Sequence, residues 1–273
     1  MLRKLSAYFV VYYGLMTTYR GEIFLWSIAT ALPLIMMGVW TEAAANGTFV
    51  MSSAEVARYF IAVYLIRQFS IVWVIYDFEW HVVEGRLSPR LLHPIDPGWS
   101  FFVAHFSEQA CRLPIVVALV GLCFLIFPEA FLGSPDAGGL GPWTPGWGRG
   151  LLALLAVYLA FCCRYALQYS LSMLAFWLER VVRVDELFMI PFMFFSGILF
   201  PLEELRAWSP LLHEIAMATP FPYMLWFPAT LLTGGEAPIL RGFLTLTAWL
   251  IIFLIINRLL WRRGLKHYSA MGA

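Results

Sequence analysis

Six mainly apolar runs, most of them near or above twenty residues and the fifth shorter, recur along the chain, near 23–40, 54–76, 108–127, 150–177, 187–200 and 239–261. A bilayer core needs about 20 helical residues to cross it. Inside hydrocarbon every backbone N–H and C=O must be satisfied within the protein, which leaves helices as the solution for runs like these. The residue usage agrees. The chain is 61% hydrophobic and 13% charged, with a mean hydropathy of +0.76, where soluble domains are about 45–50% apolar and about 25% charged. The expected fold is an all-α membrane protein with six transmembrane helices, the fifth of them short, in a single transmembrane domain over residues 1–273.

The basic residues set the orientation. Arg3, Lys4, Arg20, Arg86, Arg90, Arg180, Arg183, Arg262, Arg263 and Lys266 fall on one side, against Arg149, Arg206 and Arg241 on the other. The positive-inside rule then places both termini in the cytoplasm. Residues 1–20 set Arg3, Lys4 and Arg20 around Tyr8, Phe9, Tyr12, Tyr13 and Leu15, the pattern of a helix lying in the headgroup region. No cleavable signal peptide is expected, because that first apolar segment carries Tyr and Arg and is followed by no small-residue cleavage site. The net charge of +1 comes from scattered rather than clustered basic residues, which argues against a nucleic-acid partner. Asn46-Gly47-Thr48 is formally a glycosylation sequon, but nothing else points to a secretory context. Cys111, Cys123, Cys162 and Cys163 all lie inside expected spans and read as apolar fillers.

Two stretches break the pattern. Residues 77–98 lie between the second and third runs, on the cytoplasmic side. They are too polar for lipid and too patterned for a slack linker. Leu87, Leu91 and Leu92 are expected on one helical face, with Glu84, Arg86 and Arg90 charged and Pro94 and Pro97 ending the helix. The reading is a short amphipathic helix at the membrane surface that receives force from a soluble partner. Residues 201–237 are too broken by proline to span and too aromatic to be a free loop. Two short helices dipping into the outer leaflet fit both facts, and so does a plain interfacial aromatic belt.

Some charges fall inside the expected spans: Arg67, Glu108, Arg112 and Arg164, with Gln168 one turn beyond Arg164. Burying them is costly, so they should face protein or a water-filled cavity. One reading is a basic lining that attracts an anionic substrate or lipid headgroup. The other is structural, with Glu108 bridging Arg67 or Arg112. A P-loop requires Gly-Lys followed by Ser or Thr, and the only lysines are Lys4, after Arg3, and Lys266, after Leu265. No ATPase site or cofactor is expected on this chain. Other functional classes fit less well. An intramembrane serine protease needs Gly-x-Ser-Gly, but Phe194-Phe195-Ser196-Gly197 has Phe in the first position and no histidine at membrane depth. A secondary transporter predicts intramembrane carboxylates, and only Glu108 comes close. A membrane scaffold leaves the 77–98 helix without a purpose.

Several motifs resemble one family. Glu84-Gly85-Arg86-Leu87-Ser88-Pro89-Arg90-Leu91-Leu92-His93-Pro94-Ile95 is similar to a cytoplasmic stretch of the type-2 permeases of ATP-binding-cassette (ABC) exporters. Glu84 here directly precedes Gly85, and one residue separates Gly85 from Leu87. Ser196-Gly197-Ile198-Leu199-Phe200-Pro201, continuing through Trp208 to Pro220 and Tyr223, looks like that family's signature between spans five and six. The tail over residues 264–273 resembles a bacterial subgroup usually encoded beside a second permease and an ATPase. The resemblance implies one permease half of an exporter in the bacterial cytoplasmic (inner) membrane. It would work with two ATPase subunits that carry ATP and Mg and with a second permease chain, a different one rather than itself. The implied coupling residues are Glu84, Gly85, Leu87, Leu91, Leu92, Pro94 and Ile95. The implied outer gate is Phe195, Ser196, Gly197, Phe200, Pro201, Pro220 and Tyr223.

Overall fold

The computed structural model describes residues 2–47, 49–133 and 140–271. Thr48 of the sequon, residues 134–139 of the glycine-rich loop and the last two residues of the tail motif lie outside them.

The chain opens with α1 (Leu2–Thr18), which leads through Tyr19 into α2 (Arg20–Ala29). α3 (Leu32–Ala45) follows after a break at Thr30–Ala31, just ahead of Pro33, where the sequence predicts a kink. Thr30 Oγ1 donates back to the Trp26 carbonyl at 3.0 Å and accepts from Gln68 Nε2 at 2.9 Å, so a neighbouring helix seals the break.

α4 (Ser53–Ser70) starts at a capping box. There Ser52 N donates to Glu55 Oε2 at 2.8 Å while Glu55 N donates to Ser52 Oγ at 3.4 Å. The helix is buried along nearly its whole length and forms the axis of the larger apolar core. It breaks at Ile71–Trp73 and resumes as α5 (Val74–Val83). No proline causes this break. Side chains of the next long helix, α7 (Pro97–Ile126), hold it open instead. Trp73 N donates to His105 Nε2 at 2.8 Å, and Gln109 Nε2 donates to the Phe69 carbonyl at 2.7 Å. Between α5 and α7 sits α6 (Leu87–Leu91).

α7 begins on Pro97 behind the N-cap Asp96, whose Oδ1 accepts from Gly98 N at 2.8 Å. α8 (Pro128–Leu132) follows it, then α9 (Trp147–Ser172) with a 3-10 turn over Met173–Phe176. α10 (Val182–Phe195) starts inside the charged turn at 179–186. Where two dipping helices were expected, four short ones appear: α11 (Leu202–Trp208), α12 (Pro210–Ala218), α13 (Phe221–Met224) and α14 (Trp226–Thr233). The extra breaks fall where Ser209-Pro210 and Pro220 interrupt the chain, and α13 and α14 are almost wholly buried. α15 (Ile239–Met271) closes the fold and carries the basic tail within it.

Among the described residues, five segments are long and apolar enough to cross a bilayer: Arg20–Ala45, Ser53–Val83, Pro97–Ile126, Trp147–Phe176 and Ile239–Tyr268. The expected fifth span at 187–200 corresponds to α10, 14 residues long, or about 21 Å at 1.5 Å per residue. Its ends are informative. Val182 N donates to Glu79 Oε2 on α5 at 2.7 Å. Past its other end, the Gly197 carbonyl accepts from Tyr59 Oη, near the start of α4, at 2.8 Å. α10 therefore joins opposite ends of the α4–α5 rod.

α1 packs along α7, with Phe9 against Phe106 at 6.2 Å between ring centroids and Ser107 Oγ donating to the Phe9 carbonyl at 3.3 Å. Cys123 and Cys163 are buried in the core, while Cys111 and Cys162 are half-buried, and all four are free thiols.

Losing one of the bonds that hold the α4–α5 break should be measurable. Gln109→Leu leaves the Phe69 carbonyl without its partner and is expected to cost about 1–3 kcal/mol. Thermal unfolding of the purified chain would show it.

Candidate functional site

Three groups of residues are brought together, one at each end of the bundle and one between. At the first end, α5 runs into Glu84, and Gly85 turns the chain with a φ of +67°, a left-handed value that favours glycine. α6 follows at once. Leu87 is fully buried and joins the cluster around Phe78. Phe78 meets Tyr169 and Phe176 edge-on, both at 5.5 Å. Leu92, by contrast, is 87% exposed, and Leu91 is also exposed. The expectation of one shared face for the three leucines is therefore corrected. The helix ends at Leu91, too short to sustain a stripe, so Leu87 anchors it while Leu92 projects outward. Glu84, Gly85 and Pro94 are exposed as well, and Ile95 is half-buried.

The loop is tethered on several sides. Arg86 lies over the Trp80 ring at 4.3 Å and Arg90 over the Phe101 ring at 4.8 Å. Tyr8 Oη of α1 bonds His93 Nδ1 at 3.0 Å, and Tyr268 Oη of α15 bonds Ser88 Oγ at 3.1 Å. α6 and its flanks are thus tied to α1, α5, α7 and α15.

In the middle lie the charges. Arg112 is buried and ion-paired with Glu108 one turn earlier, which settles which arginine Glu108 bridges. The Arg164 guanidinium sits 4.2 Å from the centroid of the Phe192 ring. Gln168 Nε2 donates to Asp185 Oδ1 at 3.1 Å. Arg67 lies in the last turn of α4, where the helix dipole favours a cation, within electrostatic reach of Arg112 and Arg164. Its Nε is buried without a hydrogen-bond partner among the described residues.

At the far end, the Ser196–Pro201 turn is held from several directions. Trp226 N donates to the Ser196 carbonyl at 3.1 Å, and Trp40 Nε1 donates to the Leu199 carbonyl at 2.6 Å. Gly197 has a φ of +86°, and a Cβ there would overlap Tyr59 Oη. Tyr223 is buried, with its Oη donating to the Met217 carbonyl at 3.2 Å, while Phe195 and Phe200 pack half-buried against the core. Pro220 immediately precedes α13, and Pro201 precedes α11.

Sequence reasoning missed the carboxylates that staple this end. Glu204, almost fully buried, accepts from Val50 N at 2.9 Å and Met51 N at 3.1 Å, tying α11 to the loop before α4. Glu203 accepts from Trp226 Nε1 at 2.9 Å. The available signal was Glu203-Glu204 directly after Pro201, two acids in an otherwise apolar stretch. His105, Gln109 and Asp185 were missed as well, since nothing local marks a helix break satisfied by another helix.

Burial is the main cause that pushes the Glu203 carboxyl above its ordinary range, with its own backbone hydrogen bond and Trp226 opposing the shift. Folding then becomes less favourable as pH rises through the window between the unfolded value, about 4.3, and the higher folded value, because the unfolded chain releases that proton first. Glu203→Gln keeps an acceptor for Trp226 and removes the ionisation. The variant is expected to unfold at a higher temperature than wild type at pH 8 and at the same temperature near pH 4. Melting curves at the two pH values check this.

These features define a multi-pass, all-helical membrane protein with a tethered polar loop at one end and a stapled, proline-rich cap at the other. The profile of the ABC-2 family transporter proteins matches residues 49–272. The chain belongs to that family and is an ABC type-2 permease, the membrane component of a transporter that has an ATPase partner. No curated protein sequence matches it.

Proposed function

We propose that this chain is one permease half of an ATP-driven exporter, with α6 and the residues flanking it acting as the coupling helix. The observation that carries the reading is the split at α6. Leu87 is locked into the Phe78 cluster while Leu92, Leu91 and Glu84 stand exposed on a loop tethered to several helices. A helix built this way suits a lever better than a surface ornament. In this reading two ATPase subunits, carrying ATP and Mg, seat on Glu84, Gly85, Leu91, Leu92, Pro94 and Ile95, and Leu87 passes their movement inward. A second permease chain, different from this one, completes the pathway.

α10 supplies the sixth crossing despite its length, because its two ends contact opposite ends of the α4–α5 rod. Both termini then lie in the cytoplasm, and the membrane is the bacterial inner membrane. The segment at 201–237 forms the re-entrant outer cap, with Phe195, Ser196, Gly197, Phe200, Pro201, Pro220 and Tyr223 at the gate. Arg112 and Arg164 act as structural cations, held by Glu108 and by the Phe192 ring.

Coexpression with ATPase genes from the same neighbourhood, followed by purification in gentle detergent, tests the proposal. A stable complex retaining the ATPase is expected. Recovery of the folded permease with no ATPase would overturn it.

A further inference from the structure

A cavity of about 530 Å³ belongs to none of the three groups above, though Glu108 contributes to its wall. It lies between the α1–α2 junction, the start of α5 and the first half of α7, at the depth of the α4–α5 break. That volume is typical of a small-molecule site. One wall is aromatic. The Trp26 and Trp73 rings are 5.4 Å apart, Tyr76 continues the wall 6.2 Å from Trp73, and Tyr19 completes it. Trp26, Tyr76 and Tyr19 are each about half exposed in spite of their size.

The polar lining carries one sign. Glu22, Asp77 and Glu108 contribute carboxylates, and neither lysine nor arginine lines the cavity. Glu108 is neutralised by Arg112. The carboxylates of Asp77 and Glu22 accept no hydrogen bond and join no salt bridge among the described residues, and Arg90 and His81 lie within electrostatic reach of Asp77. His105 adds no positive charge. Its Nε2 accepts from Trp73 N at 2.8 Å, so the proton sits on Nδ1, 2.8 Å from the Phe101 carbonyl, and the ring is neutral.

We infer that this cavity binds a lipophilic organic cation, a quaternary ammonium or phosphonium centre on an apolar body, as the exported substrate. Exposed indole and phenol faces attract such a centre through the ring quadrupole, and they strip little water from it. Two carboxylates at the edge, neither held in a salt bridge, supply the charge complement, and an anionic amphiphile of the same shape is repelled. The inference rests on the export reading for the word substrate. With the termini in the cytoplasm, the cavity opens in the inner half of the membrane, where a lipophilic cation accumulates.

The probe is tetraphenylphosphonium, and its counterpart is tetraphenylborate, with the same shape and the opposite charge. Equilibrium dialysis of the full chain in lipid nanodiscs, with any copurifying ATPase and without nucleotide, should show saturable tetraphenylphosphonium binding above empty nanodiscs. Asp77→Asn should weaken it about tenfold, an effect of the size expected from losing one partly sheltered charge partner. Glu22→Gln, at an exposed position that does not endanger folding, should weaken it less but measurably, and tetraphenylborate should not compete. Absence of saturable binding, unchanged affinity in both variants, or equal competition by tetraphenylborate would overturn the site. Binding and transport separate the two claims. Saturable binding without ATP-driven uptake into inverted vesicles would remove the export reading and keep the site. ATP-driven movement of another solute without tetraphenylphosphonium binding would do the reverse.

Discussion

Leu92→Asp is expected to lower ATP-driven transport about tenfold or more while the chain inserts and folds as before. Leu92 is 87% exposed, so an aspartate there meets water in the isolated chain and disturbs no internal packing. In the complex proposed above the same position would be buried against the ATPase. Losing a buried leucine costs about 1.5–3 kcal/mol, and an unpaired carboxylate in the interface adds its desolvation. Each 1.4 kcal/mol is a factor of about ten in occupancy. Glu84→Lys acts in the same direction on an exposed neighbour, and a proline at Arg86, beside the Gly85 turn, should disrupt α6 itself. Leu87→Ala makes the contrasting case. Leu87 is fully buried in the Phe78 cluster, so its truncation should cost about 2–5 kcal/mol of stability. A comparison of complex yield, melting temperature and coupled ATP hydrolysis across Leu92→Asp and Leu87→Ala separates seating from anchoring.

Gly197→Ala is expected to destabilise the end that carries the Ser196–Pro201 turn by about 2–5 kcal/mol, enough to remove most assembled protein. Two costs add. A φ of +86° disfavours any residue with a Cβ, at about 1–2 kcal/mol. The new methyl would also overlap Tyr59 Oη, the group that donates to the Gly197 carbonyl, and would press on Trp226. Overpacking of a close-fitted site costs about 1–3 kcal/mol. Because the same turn carries the Trp226 and Trp40 hydrogen bonds, the damage spreads through α3, α4 and α14 together. Detergent-resistant yield and melting temperature measure it, and wild-type values in the variant would refute the clamp.

Much of this was legible beforehand for a physical reason. Apolar runs must be helices in lipid, so the long segments could be read from hydropathy, and the family resemblance from the 84–95 and Ser196–Pro201 motifs. What stayed hidden depends on contacts distant in sequence. The α4–α5 break has no proline or glycine of its own and exists because His105 and Gln109, more than thirty residues on, satisfy it. Leu87 and Leu92 look alike in a pattern of apolar spacing, and only the position of Phe78 decides which one turns inward. Nothing in the local sequence assigns partners to Glu203 and Glu204, yet each is spent on a partner beyond its own helix, Trp226 and the Val50–Met51 backbone. The charges at mid-membrane were identified as a set, but Glu108 could not be assigned to one arginine until helical phase and neighbours were known.

In the proposed function the ATPase seats on the exposed side of the α6 loop. Photocross-linking from a benzoylphenylalanine placed at position 92 tests it in the purified complex. A second probe at position 147 serves as control, since Trp147 is 98% exposed at the start of α9, at the opposite end in this account. Light is expected to join position 92 to the ATPase subunit and to leave position 147 unjoined to it. A complex that retains its ATPase but forms the adduct from 147, or forms none from 92, would contradict it.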